Sequence, residues 1–260
     1  MVLCMDQYRI KPGSNLRLRD FDAGDTSLVK NKKEGEKLLA ELGERLDALQ
    51  DLLYAGHQHK LLIVLQGMDT AGKDGVIRKV FQNIDPLGVH AVPFGPPSEE
   101  ERAHDFLWRV HRRVPRAGEV VIFNRSHYED VLVVRVKELV PKKVWKKRYQ
   151  QIVDFEKLLA ETGTVILKFF LHIDRDEQKE RLQERIDDPA KRWKFRRGDL
   201  DDRQKWDAFE EAYEEAISRT STRQAPWYVV PADRKWVRDV AVSEAVPARK
   251  KDSAGREIAP

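Results

Sequence analysis

A glycine-rich segment directly behind an apolar run constrains this chain more than any other feature. Residues 61–66 read LLIVLQ, and residues 67–75 continue as GMDTAGKDG. The spacing matches the phosphate-binding loop G-x-x-x-x-G-K, which joins a buried strand to a helix. In such a loop the backbone N–H groups converge on an anion, and the dipole of the following helix adds to the attraction. The segment therefore predicts an α/β fold with a phosphate site at the end of one strand.

The rest of the chain repeats the pattern of a short apolar run followed by an amphipathic helix. The runs that we interpret as strands are residues 60–67, 90–94, 119–126, 165–173 and 227–233. Helical patterns cover residues 32–54 and then follow Gly72, Ser98, Tyr128, Val144, Asp174, Asp201 and Lys235. Continuous apolar runs are typical of strands covered on both faces, and strand–helix repetition is typical of parallel sheets. We predict a parallel sheet of about five strands.

The chain divides into one domain and two terminal segments. At 260 residues it can bury a substantial core as a single domain with an inserted lid. We predict an irregular N-terminal extension at residues 1–30, the domain at residues 31–246 and a disordered tail at residues 247–260. Within the domain, residues 187–206 are highly charged and lie between two helical patterns. That composition favours a mobile helical lid.

Charge and composition narrow the classes of partner. The 48 Lys and Arg residues nearly balance the 44 Asp and Glu residues, so the net charge of +4 does not indicate nucleic-acid binding. Basic clusters at residues 142–148 and 191–197 still suit a polyanion. No apolar run approaches the roughly 20 residues that cross a membrane, the first residues are too charged for a secretory leader, and Cys4 is the only cysteine. We expect a cytoplasmic protein that binds neither membrane nor nucleic acid.

The candidate phosphate-binding residues lie in the glycine-rich loop and on the helix after it. They are Gly67, Ala71, Gly72, Lys73, Asp74 and Gly75, with Arg78 and Lys79 as candidates for a basic track. For the last two, a solvated helix face is an equally good interpretation. Lys73 is expected to reach the phosphates as a point charge.

Asp74 stands where ATP-binding loops carry a metal-binding Ser or Thr. A carboxylate about 4 Å from a phosphate costs roughly 4 kcal/mol at an effective dielectric near 20, unless a cation lies between the two. Mg²⁺ prefers one or two carboxylates together with phosphate oxygens and waters. Asp69 is the better metal ligand, because a carboxylate in the first helical turn, such as Asp74, is favoured there without a metal.

Residues 119–130, EVVIFNRSHYED, form a second candidate motif. Phosphotransferases with such loops hold the metal through an acidic residue at the end of a neighbouring strand, but here that position carries the neutral amide of Asn124. Carboxylates follow at Glu129 and Asp130, and Glu129 is the candidate second metal ligand. A zinc site built from His127 and Glu129 is disfavoured, because no H-E-x-x-H or cysteine spacing lies nearby.

Five separated motifs resemble, in the same order, those of the polyphosphate kinase 2 family. They are GMDTAGKDG (67–75), FNRSHYEDVLV (123–133), FEKLLAETGTVILKFFLHI (155–173), DDPAKRWKF with DLDDRQKW (187–195 and 199–206) and APWYVVPADRKW (225–236). The resemblance covers roughly residues 16–246. FNRSHYED, in place of an aspartate-containing DRSWYNR pattern, is similar to the class III branch, which phosphorylates both AMP and ADP.

The resemblance implies a three-layer αβα P-loop kinase fold, similar to thymidylate kinases, with a helical lid. It implies reversible, Mg²⁺-dependent transfer between inorganic polyphosphate and adenine nucleotides. Mn²⁺ in place of Mg²⁺ and guanine nucleotides as acceptors remain open alternatives. The resemblance also implies a homo-oligomer, either a dimer or a tetramer. Carried onto matching positions, it makes Asp69, Lys73, Arg125 and Glu129 the candidate catalytic residues. Glu129 lies where the branches differ, and it is implicated in the acceptance of AMP.

The candidate nucleotide-binding residues extend from the second motif to the lid. They are Arg109, Asn124, Arg125, Glu129, Asp130, Arg192 and Lys194. A nucleotide phosphate is already ionised at neutral pH, so the reaction needs positioning and charge neutralisation rather than a general base.

Two other functions remain open from the sequence. One is an ATP-dependent nucleoside monophosphate or small-metabolite kinase of the same fold, against which the missing Ser or Thr after Lys73 argues. The other is a non-catalytic module that binds polyanions or nucleic acid, which the basic clusters suggest. Comparing ATP with polyphosphate as the sole donor separates the two kinases, and substitution of Lys73 separates an enzyme from a binding module.

Overall fold

The computed structural model describes residues 5–246, and a parallel sheet forms its centre. The strands are β1 (Lys60–Gln66), β2 (Val89–Pro93), β3 (Val120–Asn124), β4 (Thr164–His172) and β5 (Trp227–Pro231). Their spatial order is β2-β3-β1-β4-β5, and every pairing is parallel. The five strands and their parallel arrangement, both predicted from the apolar runs, are confirmed.

The inner strands are buried on both faces of the sheet. Every residue of β4 is buried, and β1 is buried from Leu62 onward. In the register of the sheet, Leu65 of β1 lies opposite both Asn124 of β3 and Phe169 of β4. Because the strands all point the same way, the segments that follow β1 and β3 leave the sheet at one edge. The two candidate motifs therefore become neighbours in space.

Helices cover both faces of this sheet. They are α1 (Lys32–Gly56), α2 (Lys73–Val80), α3 (Glu99–Ala103), α4 (Trp108–His111), α5 (Val133–Val136), α6 (Lys142–Glu161), α7 (Arg175–Asp187), α8 (Arg197–Gln204), α9 (Trp206–Thr220) and α10 (Lys235–Ala245). Helix α10 packs against α1 and α2, whereas α6 packs against β4, α5 and α9. The result is the expected three-layer αβα architecture. Within the described residues, no helix is both long enough and apolar enough to cross a bilayer.

Side-chain caps explain where two of the predicted helices begin. The side chain of Asn31 accepts a hydrogen bond of 3.0 Å from the N–H of Glu34 at the start of α1. Asp174 accepts one of 2.6 Å from the N–H of Glu177 at the start of α7. Each cap satisfies an N–H group that lacks a partner within its helix.

The short helices differ most from the sequence prediction. The helix expected after Asp201 is two helices, α8 and α9, which meet at Lys205. The helix expected after Tyr128 is a 3-10 turn, His127–Asp130, followed by the single turn of α5. Helix α4 was not predicted. One-turn helices contain too few residues for a hydrophobic periodicity to show in the sequence.

The N-terminal residues are part of the domain core. The 3-10 turns Met5–Tyr8 and Leu18–Asp20 lie within an otherwise irregular segment. The N–H of Ile10 donates to the carbonyl oxygen of Trp227 at 2.9 Å, so the segment runs along β5. Its buried apolar side chains belong to the same hydrophobic core as those of the strands. The predicted tail, residues 247–260, lies outside the described residues, as does Cys4.

Candidate active site

The glycine-rich loop, residues 67–72, joins β1 to α2. Gly67 and Gly72 have φ angles of 152° and 99°, which favour glycine. A Cβ on Gly67 would lie 2.7 Å from the carbonyl oxygen of Leu171, so the closeness of β4 also excludes a side chain there. Helix α2 begins at Lys73, and its first N–H groups have no partner within the helix. The loop therefore offers N–H donors and the positive end of a helix dipole to an anion.

The side chain of Lys73 lies within this loop. It is buried, and its Nζ donates hydrogen bonds to the carbonyl oxygens of Gly67 at 2.7 Å and of Met68 at 3.2 Å. Burial lowers the pKa of Lys73 to about 8, and the nearby Arg125 adds to this effect, whereas the acidic side chains of the site oppose it. The ammonium group is therefore mostly charged at neutral pH and lies where it can meet a phosphate.

Arg125 follows β3 and reaches across to the loop. Its φ of 62° lies in the left-handed region, which is uncommon for a residue with a side chain. Its Nη2 donates to Oδ1 of Asp69 at 2.7 Å, and its Nη1 lies 3.6 Å from Oε2 of Glu129. Although burial disfavours the charged form, the carboxylates of Glu129 and Asp69 raise the pKa of Arg125. A permanently charged guanidinium is thus held between two carboxylates beside the loop.

Glu129 lies in the 3-10 turn after β3, with its side chain largely buried. Burial raises the pKa of Glu129, and the nearby Arg125 limits that rise. Gln66 at the end of β1 donates to Oγ of Ser126 at 3.2 Å, and the same Oγ caps the turn by accepting a backbone hydrogen bond of 3.2 Å. These bonds fix the turn against β1. The four predicted catalytic residues therefore lie together at the carboxyl-terminal ends of β1 and β3.

Carboxylate oxygens are the groups of this site that could bind a metal ion. Asp69 and Glu129 contact different nitrogens of the Arg125 guanidinium. Across residues 5–246, no group of three or more His, Cys, Asp or Glu side chains is arranged to hold a metal by itself. Mg²⁺ commonly binds through one or two carboxylates, and substrate phosphates and waters complete its octahedron. The two carboxylates therefore fit a Mg²⁺ ion that binds together with a phosphate substrate.

His127 belongs to a different, buried network. Its Nε2 lies 3.3 Å from Oε1 of Glu156 on α6. Oε1 of Glu156 also accepts from the hydroxyl of Tyr128 at 2.8 Å, and Oε2 accepts from Nζ of Lys168 at 2.6 Å. The network joins the turn that carries Glu129 to β4 and α6. His127 is therefore engaged with Glu156 on α6.

Asp74 and Asn124 bind one another. Nδ2 of Asn124 donates to Oδ1 of Asp74 at 2.6 Å, which links the end of β3 to the first turn of α2. The helix dipole favours a carboxylate at this position, as expected from the sequence. Asn124, a predicted nucleotide-binding residue, thus lies against the helix that follows the phosphate-binding loop.

Arg109 and Asp130, two further predicted nucleotide-binding residues, lie beside one another, and Arg109 also lies beside Phe94. Nη1 of Arg109 donates to the carbonyl oxygen of Gly95 at 2.9 Å, and Nη2 lies 3.9 Å from Oδ2 of Asp130. The guanidinium is 5.4 Å from the centre of the Phe94 ring. Arg148, which the sequence did not single out, donates to Oδ1 of Asp130 at 2.9 Å. Burial raises the pKa of Asp130, and both arginines limit the rise.

The predicted basic residues of α2 and of the lid region, residues 187–206, lie outside this cluster. Arg78 and Lys79 are exposed in the last turn of α2. Nε of Arg192 donates to a carbonyl oxygen in the last turn of α7 at 2.8 Å, and Nζ of Lys194 lies 5.2 Å from the centre of the neighbouring indole ring. In this conformation the two lid cations contact the lid region and α7 rather than the loop.

Helices α7, α8 and α9 complete a cleft in front of Asp69 and Arg125. Their lining residues are Gln178, Asp202, Trp206, Phe209 and Tyr213. Oδ1 of Asp202 forms an ion pair with Nζ of Lys137 at 2.6 Å, and this contact links α8 to the end of α5. The sequence did not predict these lining residues. The apolar members on α9 are spaced by three and four residues, which indicates a buried helix face but not what the face lines.

Known proteins similar to this chain are phosphotransferases that act with polyphosphate. The family model described as polyphosphate kinase 2 matches residues 29–255. An AMP/ADP-polyphosphate phosphotransferase from Meiothermus ruber is 59% identical over 240 residues, which cover 92% of this chain and 90% of that protein. An ADP-polyphosphate phosphotransferase from Rhodopseudomonas palustris is 44% identical over 258 residues, which cover 95% of this chain and 89% of that protein.

Solved structures give the same picture of the fold. The crystal structure of a polyphosphate kinase 2 from Arthrobacter aurescens TC1 is similar with a TM-score of 0.89 at 44% identity. The match covers 93% of this chain and 86% of that chain. Together with the phosphate-binding loop between β1 and α2, this similarity confirms the predicted three-layer P-loop kinase fold.

Proposed function

The chain belongs to the polyphosphate kinase 2 family, and on that premise we propose that it transfers phosphoryl groups reversibly between inorganic polyphosphate and AMP or ADP. With AMP the products are ADP and a phosphate chain shortened by one unit, and with ADP they are ATP and the same shortened chain. The 59% identical relative carries both AMP and ADP in its name, which supports the use of both acceptors.

The convergence of Lys73, Arg125 and Asp69 on the loop carries the proposal. Nζ of Lys73 lies within the loop, and Arg125 bridges the loop and the turn after β3. These cations and the loop N–H groups can all bind phosphate oxygens. No hydroxyl follows Lys73, so the metal-binding group of ATP-type loops is replaced by carboxylates. A donor composed of phosphate units alone suits such a site.

Transfer at this site depends on alignment and charge neutralisation. A terminal phosphate oxygen of AMP or ADP attacks the terminal phosphorus of the phosphate chain. The bond between that phosphorus and its bridging oxygen breaks, and the shortened chain leaves with the bridging oxygen and its electron pair. Lys73 and the loop hold the donor phosphates, and Arg125 neutralises charge on the transferred group. Since no proton is added or removed, the same residues serve both directions.

Asp69 and Glu129 are the residues proposed to hold Mg²⁺, or Mn²⁺, which has the same preference for oxygen ligands. The bound ion supplies positive charge to the phosphate oxygens and orients them. In the structure described, Arg125 provides the positive charge beside both carboxylates. Asp69 is the primary candidate because it lies inside the loop itself.

For the acceptor nucleotide, the proposal extends to Arg109 and to the lid cations. Within the described residues, the hydrogen bond of Arg109 is to the carbonyl oxygen of Gly95, and its contacts with Glu101 and Asp130 are 3.6 and 3.9 Å long. Guanidinium groups bind phosphate in a bidentate manner, so Arg109 can turn its remaining N–H groups to a nucleotide phosphate. On closure of the lid region, Arg192 and Lys194 are proposed to reach the nucleotide and exclude water.

The proposal includes the oligomeric state, location and nucleotides expected from the family resemblance. We propose a cytoplasmic homo-oligomer, either a dimer or a tetramer. It would use adenine nucleotides and also accept guanine nucleotides. Light scattering of the purified protein measures the number of subunits. Supplying AMP, ADP, GMP and GDP separately with polyphosphate measures the preference for the base.

Incubation of the purified protein with Mg²⁺, polyphosphate and AMP tests the activity. ADP should appear first and ATP after it, and the Lys73→Met variant should lose turnover by orders of magnitude. The wild-type protein forming no nucleotide product from polyphosphate would overturn the proposal. Faster formation of ADP from AMP and ATP, without polyphosphate, would instead favour an ATP-dependent kinase.

A further inference from the structure

Three consecutive carbonyl groups of the phosphate-binding loop accept hydrogen bonds from buried side chains of α7 and α10. The pairs are Asp69 O with Gln178 Nε2 at 3.1 Å, Thr70 O with Arg181 Nη1 at 3.0 Å and Ala71 O with Arg238 Nη1 at 3.5 Å. All three donor side chains are nearly inaccessible to solvent. Gln178 also lines the cleft, whereas the two arginines do not. The arginines therefore approach the loop from outside the cleft.

Arg181 ties the loop to the segment after β5. Its Nη2 donates to the carbonyl oxygens of Ala232 at 2.6 Å and Asp233 at 2.9 Å. Its Nε donates to Oε1 of Glu177 at 2.7 Å. With Nη1 bound to Thr70, every nitrogen of the guanidinium is engaged by the protein. Four of its five N–H groups are therefore used by these contacts, and the side chain is held in place by the protein.

Arg238 lies directly against the start of α2. Its Nε and Nη2 donate to Oδ1 of Asp239 at 2.8 and 2.6 Å, which leaves Nη1 facing the loop. A Cβ on Gly72 would collide with Nη1, and a Cβ on Gly75 would lie 3.1 Å from Nη2. A cation at a helix N-terminus is unfavourable in the free protein, because the helix dipole is positive there. The Asp239 carboxylate offsets this cost.

The hydrogen bonds also determine which way the loop peptides face. In a planar trans peptide, the C=O and the following N–H point in opposite directions. A carbonyl of Ala71 that faces Arg238 therefore turns the N–H of Gly72 to the other side. The N–H that follows the Thr70 carbonyl donates to Met68 O at 3.1 Å and closes the turn. If the Ala71–Gly72 peptide flipped, a carbonyl oxygen would take the place of the Gly72 N–H and would repel a phosphate there. Loss of the Thr70 contact would instead loosen the turn that the Ala71 N–H closes.

From these contacts we propose that Arg181 and Arg238 are positioning residues for the phosphate donor, which hold the loop in its anion-binding shape without touching the phosphate chain. The inference rests on the proposed function, because the ligand in question is inorganic polyphosphate. It assigns a role in donor binding to two side chains that lie more than 100 positions from the loop in sequence.

Binding of tripolyphosphate, followed by thermal unfolding, tests this role in the full chain. Arg181→Met and Arg238→Met retain most of the side-chain volume but lose the fork of donors. We expect each to weaken tripolyphosphate binding about ten-fold or more, which is at least 1.4 kcal/mol in binding free energy. The ligand-induced rise in Tm should shrink accordingly. The KM for polyphosphate should rise by a similar factor, while the KM for AMP stays within about two-fold.

Arg135→Met is the matched control. Arg135 is also a largely buried arginine, and it pairs with Glu211 at 2.6 Å and Glu215 at 2.7 Å in the layer that contains α6 and α9. Loss of this arginine should lower the Tm without ligand but leave the tripolyphosphate-induced shift and both KM values unchanged. A merely structural role for Arg181 and Arg238 predicts the same behaviour as this control, and that result would overturn the proposal.

The remaining outcomes are also decisive. If a methionine variant does not fold, the lysine variant at that position is used. Lysine retains the positive charge, but its single ammonium cannot replace the several N–H donors of the guanidinium. A raised KM for polyphosphate with an unchanged KM for AMP then supports the proposal, and two unchanged values contradict it. Failure of the proposed function itself looks different, because the wild-type protein would then show no tripolyphosphate-induced shift.

Discussion

Nη2 of Arg125 donates a hydrogen bond of 2.7 Å to Oδ1 of Asp69, and this bond joins the turn after β3 to the phosphate-binding loop. Each partner has a second use in the proposed reaction, because a phosphate chain needs the guanidinium and Mg²⁺ needs the carboxylate. In the absence of both ligands, the pair neutralises itself. If the proposed reaction uses both groups in this way, the Arg125–Asp69 ion pair gives way to one contact with phosphate and one with Mg²⁺, so the effect of removing the pair should depend on the metal.

Asp69→Asn separates these two uses. Without Mg²⁺, the variant should bind tripolyphosphate more tightly than the wild type, because a negative charge beside the anion has been removed. With Mg²⁺, turnover should fall by about 100-fold or more, the scale on which loss of one electrostatic group acts in an active site. Calorimetric titration in EDTA and initial rates across a Mg²⁺ series measure the two effects. Wild-type rates at every Mg²⁺ concentration would exclude Asp69 as a metal ligand.

Glu129→Gln tests the acceptance of AMP. The substitution keeps the shape of the side chain but removes a buried carboxylate that lies 3.6 Å from Arg125. If this carboxylate supports the shorter acceptor, kcat/KM should fall more for AMP than for ADP, by about ten-fold, or 1.4 kcal/mol. The ratio of the two values in one preparation serves as its own control. Equal losses with both acceptors would leave Glu129 as a general metal-binding or structural residue.

The strands and the main site could be predicted because each rests on a local signal. Apolar runs marked all five strands to within a few residues. For β1, β3, β4 and β5 the reason is burial on both faces, which leaves no room for polar alternation, whereas β2 is a partly exposed strand at the end of the sheet. The loop motif and the parallel sheet together placed Lys73 near the end of β3. The arrangement of Lys73, Asp69, Arg125 and Glu129 in one cluster follows from that topology, and their catalytic roles stay predictions.

The support around the loop could not be predicted, because it comes from distant helices whose charged residues resemble solvated ones. Arg181 lies in a helix of strongly polar sequence, yet it is buried. Arg238 lies in a mixed helix with nothing local to indicate that it faces Gly72. Only the packing of α7 and α10 against the loop determines these contacts. Sequence periodicity identifies a buried face, but it does not identify the neighbour of that face.

The rate of the polyphosphate reaction should fall on the alkaline side of pH 8. Burial lowers the pKa of Lys73 to about 8 from its ordinary 10.5, so the free enzyme loses this cation as the pH rises through 8. The dependence of kcat/KM on pH reports groups of the free enzyme, so kcat/KM for polyphosphate should decline there. The kcat profile should decline at higher pH, because bound phosphate favours the charged amine.

The stability of the ligand-free protein should respond to the same group with the opposite sign. Between about pH 8 and 10.5 the unfolded chain holds a proton on Lys73 that the folded chain has lost. Stability rises with pH wherever the unfolded state binds more protons, so the cost of burying the charged Lys73 ammonium is relieved progressively across that window. Lys73→Met should remove that contribution, which denaturant titrations at several pH values would detect as a shallower pH dependence. An unchanged dependence would show that Lys73 has an ordinary pKa.

The buried network of Lys168 and Glu156 gives a prediction about stability rather than catalysis. Nζ of Lys168 lies 2.6 Å from Oε2 of Glu156, and both side chains are almost fully buried. Lys168→Met leaves the Glu156 carboxylate without its cation, so we expect a loss of about 3–5 kcal/mol in the free energy of unfolding. Lys168→Met combined with Glu156→Gln removes both charges and should recover much of that loss, because the remaining amide needs only ordinary hydrogen bonds. Denaturant unfolding of the two variants measures the difference, and equal losses would show that the charge pair itself contributes little.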